Sequence, residues 1–357
     1  MTGFDASRRR LTALRLRAQG IAAPASPEPA DTVASLLALQ AQDYPGALWS
    51  VAVRTPGATL ASVEQTHLNG DFVRSWPMRG TLHFVKPDDL GWMLSLTGER
   101  MVRSAETRRR DLGLTAADFA TAEKVARTLL AGGHHAERAD LLAAFDAAGV
   151  SPAGQRGVNT LGQLAQTGVI VLSGQKRYAL LDEWATHPRR LDRDAALHEL
   201  ALRYFTSHGP ATVTDLAWWS SLTLTDARAA LAAARDELDE LELDGTVYHL
   251  RPGLDPAENG VHLLTGFDEY LLGYADRGAA LAPEHKDVIV PGGNGMFLST
   301  VVVNGEVAGT WRRNRTAKRV DVTVQPFATL SAGTRRGIHS ALKRYGDYLE
   351  LPVVWSD

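Results

Sequence analysis

One arrangement recurs along this 357-residue chain and restricts its fold more than any single motif does: helical patterns followed by two short strand-like runs around a tight turn. Residues 5–18 put Leu11, Leu14 and Leu16 inward and Arg8, Arg9 and Arg10 outward. Asp31 can cap a second helix, and residues 58–68 form a third helical pattern. The run Phe72-Val73-Arg74-Ser75-Trp76-Pro77-Met78-Arg79-Gly80-Thr81-Leu82-His83-Phe84-Val85 then reads as two strands about a Met-Arg-Gly turn. Three helices and a hairpin are the order of a winged helix, a helix-turn-helix variant with an appended strand pair.

The same order returns twice. Helical patterns at 115–130, 136–148 and 157–166 precede strand-like runs at 169–172 and 178–181, which flank the basic tip Ser173-Gly174-Gln175-Lys176-Arg177. Thr115 with Asp118 suits a capping box. Later, a helix at 193–207 ends before Gly209-Pro210. Thr212 with Asp215 opens a short helix carrying Trp218 and Trp219, Thr225 is placed to cap the next, and Asp244-Gly245 suits a tight hairpin turn. Beyond Leu254 strands and Gly-rich turns take over, with Asn304-Gly305 supplying the two positive φ angles of a type I′ turn. The fold class expected is α+β: three tandem winged-helix units (1–112, 113–188 and 189–253) and a β-rich, barrel-like C-terminal domain (254–357).

Composition narrows the function classes. A hydrophobic content of 45% belongs to an ordinary globular chain, and the absence of cysteine excludes disulfides, thiol chemistry and Cys-ligated zinc. No apolar run reaches signal-peptide or membrane-spanning length, so the expectation is a cytoplasmic, nucleoid-associated protein with no membrane partner. A net charge of −3 gives no global attraction for a polyanion, so nucleic-acid binding has to come from local patches. His134-His135 lacks a second pair at metal-ligand spacing, and Gly292-Gly293-Asn294-Gly295 lacks the lysine and the strand-loop-helix setting of a phosphate loop. Neither metal nor cofactor is expected.

The candidate site is Gln40-Ala41-Gln42, read as the end of a Leu-rich helix. Glutamine cannot serve as a general base at neutral pH, but its amide can orient a water; the alternative is that both amides satisfy helix-terminal carbonyls. Helical residues two apart diverge by about 200°, so the pair shares a pocket only if regular helix stops near Gln40. Trp76 can stack on a base or pack in the core, Arg79 can contact phosphate, His83 can do so or be a satisfied surface or core residue, and Thr81 on the same strand pair is a candidate DNA contact. The Asn304-Gly305 turn, with Arg312, Arg313, Arg315 and Lys318 after it, is the densest basic run. Adjacent Asp268-Glu269 diverge on any regular element and read as structural.

Gln40-Ala41-Gln42-Asp43-Tyr44-Pro45, Trp76-Pro77-Met78-Arg79-Gly80-Thr81-Leu82-His83, the segment from Tyr204 to Thr212 with Trp218-Trp219, Gly266-Phe267-Asp268-Glu269-Tyr270 and Gly309-Thr310-Trp311 occur in this order. Together they resemble the winged-helix bacterial DNA glycosylases of the AlkZ type over essentially the whole chain. The resemblance implies a monofunctional glycosylase acting on bulky or crosslinking N7-alkylguanine in double-stranded DNA, with Gln40 and Gln42 as the catalytic pair. Their Gln-aliphatic-Gln form is that of the branch tied to antibiotic self-resistance.

The chemistry agrees with the residues. N7 alkylation makes guanine a cationic leaving group, so the enzyme need only position water and stabilise an oxocarbenium-like sugar, which glutamine carbonyls can do. On this reading Gln42 positions the water and Gln40 helps hold it and the sugar, in a protein acting as a monomer. The alternatives are a non-catalytic winged-helix protein that covers adducts and a transcription regulator.

Overall fold

The computed structural model describes residues 3–24, 26–258 and 260–356. Helices α1 (Gly3–Ala18) and α2 (Pro29–Leu36) lead into strand β1 (Ala38–Gln40), then α3 (Tyr44–Ala52), α4 (Leu60–Leu68) and the hairpin of β2 (Val73–Met78) and β3 (Thr81–Val85). Helices α5 (Pro87–Ser104) and α6 (Glu106–Asp111) connect to the second pass. This comprises α7 (Ala116–Leu130), β4 (Ala136–Glu137), α8 (Arg138–Ala147), α9 (Arg156–Gln166), β5 (Ile170–Leu172), β6 (Arg177–Leu180) and α10 (Leu181–Trp184). The third holds α11 (Arg193–His208), α12 (Val213–Ser220), α13 (Leu224–Ala234), β7 (Asp239–Leu243) and β8 (Thr246–Leu250). The C-terminal part contains β9 (Val261–Leu264), α14 (Glu269–Leu272), α15 (Lys286–Ile289), β10 (Thr300–Val303), β11 (Glu306–Arg315), β12 (Val320–Pro326), α16 (Ala332–Leu349) and β13 (Val353–Ser356).

Local chemistry explains many boundaries. Thr115 with Asp118 and Thr212 with Asp215 close capping boxes at α7 and α12. Asn304 and Gly305 take φ of 52° and 88° at the β10–β11 turn, as Asn-Gly allows. The cap of α13 is Thr223, two residues ahead of the expected Thr225, because the Thr223 hydroxyl accepts the Asp226 N–H at 3.0 Å.

Two expectations about sheets are corrected. The first two hairpins are joined in a single six-stranded sheet ordered β1-β3-β2-β5-β6-β4, continuous through the one pair Arg74↔Leu172. The C-terminal sheet, β13-β12-β11-β10-β9, is open rather than barrel-like, since β13 and β9 lie at opposite edges. It shares a core with α3: Trp49 donates its indole N–H to the Leu263 carbonyl at 2.8 Å and packs edge-on to Tyr345. Among the described residues no helix is long and apolar enough to cross a membrane.

A buried ion pair fastens that core. Both nitrogens of the Arg54 guanidinium fork donate to the two Asp268 oxygens at 2.8 Å, and the Ser50 hydroxyl donates to the same carboxylate. Removing one partner of such a pair strands a buried charge, so Asp268→Ala should cost about 3–5 kcal/mol in denaturant unfolding.

His67 bridges the first two units, accepting from the Tyr44 hydroxyl at 3.1 Å and donating to the Leu172 carbonyl at 3.3 Å. Burial, with Arg74 nearby, lowers its pKa to about 4, and burial likewise lowers His262 to about 4. The unfolded chain binds these protons near pH 6.5 and the folded one only near 4. Stability is therefore fully present above about pH 6.5 and is lost as the pH falls toward 4. Melting temperatures recorded between pH 7.5 and 4 should show that onset, whereas a flat profile down to about pH 5 would contradict it.

Candidate active site

The glutamines do not close a helix. Regular helix ends at Leu36, Leu37 takes φ 64°, and the chain continues extended as β1, pairing Ala38↔Val85, Leu39↔Phe84 and Gln40↔His83. Gln40 ends that strand, and Gln42 lies two residues on, in the bend that follows it. Gln40 is buried and Gln42 is exposed. The Ala41 N–H donates to the Leu82 carbonyl at 2.7 Å, and the Leu82 N–H returns a bond to Gln42 Oε1 at 3.3 Å.

Arg74 holds the segment from below. Its Nε donates to the Ala41 carbonyl at 2.8 Å, one terminal nitrogen to the Gln42 carbonyl at 3.3 Å, and the other to the Gln175 carbonyl at 3.3 Å. Gln42 lies at the edge of a cleft of about 380 Å³ between the first two units. Trp76, Leu82, Leu161, Leu172 and Tyr178 supply its apolar walls, and Arg138, Gln175 and Lys176 its polar rim. Among the described residues no carboxylate lines it.

Behind Gln40 sits Glu269, fully buried. Its Oε1 accepts the Gln40 N–H at 2.9 Å and its Oε2 the Trp219 indole N–H at 2.8 Å. Burial alone would raise its pKa, but His208, 3.5 Å from Oε2, and Arg79, 4.0 Å from Oε1, hold it down at about 2. Arg79 also donates to the Leu272 carbonyl at 3.0 Å and to His83 Nε2 at 2.9 Å. Because a guanidinium only donates, His83 Nε2 must accept; its Nδ1–H then donates to the Thr81 carbonyl at 2.9 Å. His83 is therefore neutral, its pKa lowered to about 3 by burial and by Arg79.

These positions correct part of the expected nucleic-acid surface. His83 is buried and Arg79 is spent on internal partners, so neither is a surface phosphate contact; the Thr81 hydroxyl is buried as well, without a partner among the described residues. Trp76, half-buried in the cleft wall, keeps access to a ligand. Arg312, Arg315 and Lys318 are exposed at the β11–β12 end of the hairpin, and Arg313 reaches Asp43 at 3.7 Å, which sets that end beside Gln42. Asn304 lies at the opposite end of the ten-residue β11, about 30 Å away. Sequence reasoning missed Arg74 and Glu269 as site residues. The basic tip at Lys176 was visible, and the divergence that made Asp268-Glu269 look unremarkable is what sends one carboxylate to Arg54 and the other to Gln40.

Comparison with known proteins bears on the whole chain. A family model described as DNA glycosylase AlkZ-like matches residues 33–348. An interstrand DNA cross-link repair glycosylase of Streptomyces sahachiroi is 26% identical over 333 residues, covering 86% of this chain and 88% of that protein. The solved structure of the Streptomyces sahachiroi DNA glycosylase AlkZ superposes with a TM-score of 0.78 at 24% identity, over 98% of this chain and 99% of that one, which fixes the shared α+β fold. With the family match running from α2 to α16, through both glutamines, the chain belongs to the AlkZ-like DNA glycosylase family and is an enzyme of that class.

Proposed function

We propose that this glycosylase hydrolyses the N-glycosidic bond of bulky N7-alkylguanine in duplex DNA, with Gln42 positioning the attacking water and Gln40 helping to hold the water and the sugar. The supporting observation is a cleft with Gln42 at its edge and no carboxylate in its lining. A neutral base would need a general acid to leave. An N7-alkylated guanine already carries the positive charge, departs as a neutral base and transfers the charge to the sugar, where water adds at C1′ and then loses its proton. Two amide oxygens suit that task, orienting water and facing the growing positive charge.

The cleft also bears on adduct size. About 380 Å³ between Trp76, Leu82 and Tyr178 accommodates an apolar substituent, a volume within the usual range of ligand pockets. On this reading the helix-hairpin units act as winged helices, and the exposed Arg312, Arg315 and Lys318 with Lys176 and Arg138 supply the phosphate contacts that the net charge does not. The interstrand cross-link repair activity for which the Streptomyces sahachiroi relative is named extends the proposed substrate class to interstrand crosslinks. We infer a monomer working on intracellular DNA, in repair or in self-resistance to a DNA-alkylating product.

The test is release of base from a duplex carrying one N7-alkylguanine, read as free base and as alkali-labile abasic sites. Gln42→Ala should slow single-turnover release by about 100-fold and Gln40→Ala by about 10-fold or more. Unchanged release in both variants would remove the pair from the chemistry, and binding without abasic sites would make the protein an adduct cover. Trp76→Ala should slow release of a bulky adduct about tenfold more than release of N7-methylguanine. Equal losses on the two substrates would exclude the cleft from adduct recognition.

A further inference from the structure

Strand β1 is an edge strand: only β3 pairs with it. Along such a strand successive N–H groups alternate between the paired and the free side. The Ala41 N–H faces β3 and reaches Leu82, so the Gln40 N–H points off the free edge into the protein, where among the described residues it meets one acceptor, Glu269. We propose that Glu269 is a positioning residue for the glycosylase reaction, fixing the catalytic segment through the Gln40 backbone. The proposal rests on the reading of Gln40 and Gln42 as the catalytic pair.

Three observations carry it. First, two N–H donors from different parts of the molecule, Gln40 in the first unit and Trp219 in the third, converge on the two oxygens of one fully buried carboxylate. A glutamine in that place offers one accepting oxygen and sets its NH₂ against a donor. Second, Glu269 is itself anchored: its carbonyl accepts from the Gln19 amide at 3.2 Å, and its neighbour Asp268 is clamped by Arg54. The carboxylate is therefore a fixed point for the edge strand. Third, the charges around it balance. Arg79 lies 4.0 Å away, His83 is neutral, and burial keeps His208 neutral as well. With its charge met by Arg79, the contribution assigned to Glu269 is the position of Gln40. Misplacing a reacting group by about 1 Å can cost on the order of 100-fold in rate.

The experiment compares wild type with Glu269→Gln and with Ile338→Ala, which truncates a buried side chain of α16, a helix packed on β9 and β13. Single-turnover release of N7-methylguanine, duplex Kd and melting temperature are measured for each. Glu269→Gln should slow release by about 30-fold or more with Kd within about threefold of wild type, while Ile338→Ala keeps its rate within about threefold despite a lower melting temperature. A Glu269→Gln rate within about threefold of wild type, or an equal loss in Ile338→Ala, overturns the proposal. If Glu269→Gln does not fold, hydrogen exchange of the Gln40 amide in the wild type decides. Protection equal to that of the central strands supports the bond to Glu269, and exchange at open-chain rates refutes it. Gln40→Ala, run alongside, keeps the two readings apart: full activity there removes the catalytic role of Gln40, whatever Glu269→Gln shows.

Discussion

Two adjacent carboxylates hold the parts of this protein together. Asp268 takes the guanidinium of Arg54 in the first unit, whereas Glu269 takes both the Gln40 backbone of that unit and the Trp219 indole of the third. Burial makes both directions binding, because an ionised carboxylate out of water must be met by donors or shift to its neutral form. The α1 helix adds to the same knot: Arg15 reaches the Pro210 carbonyl and lies 3.6 Å from the centre of the Tyr274 ring, and Gln19 contacts both Tyr274 and Glu269. The position of the glutamine segment thus depends on residues more than 200 places away in the chain.

What could be read in advance followed from short-range chemistry. The capping boxes at Thr115 and Thr212 and the Asn304-Gly305 and Asp244-Gly245 turns each act within a few residues, and each formed in place. The break at Leu37 carried no such signal. A leucine at positive φ is unfavourable on its own, and it is tolerated because Leu36 to Ala41 are locked on both sides by the core and by β3. For the same reason the sequence suggested a helix end where a strand occurs.

Long-range placement was the harder part. Arg79 and His83 have the look of phosphate ligands when they stand on a hairpin beside a proposed site. Only the arrival of Glu269 from the C-terminal part turns them inward, and that contact spans about half the chain. The basic residues after Trp311 illustrate the opposite outcome: they do lie near Gln42, but at the far end of β11 from the turn that first drew attention to them. Charge runs locate a surface; strand length decides where it falls.

The six-stranded sheet has a further consequence through its single joining pair, Arg74↔Leu172. A sheet continuous through one residue pair is a seam rather than a slab, with little of the cooperativity of a full ladder. Much of the joint is side-chain packing, with Val73 and Val85 sharing a core with Val171 and Ala179, and Arg74 and His67 add bonds to the Gln175 and Leu172 carbonyls. The guanidinium that spans the seam also holds the Ala41 and Gln42 carbonyls, so one side chain ties the backbone of the glutamine segment to the second unit.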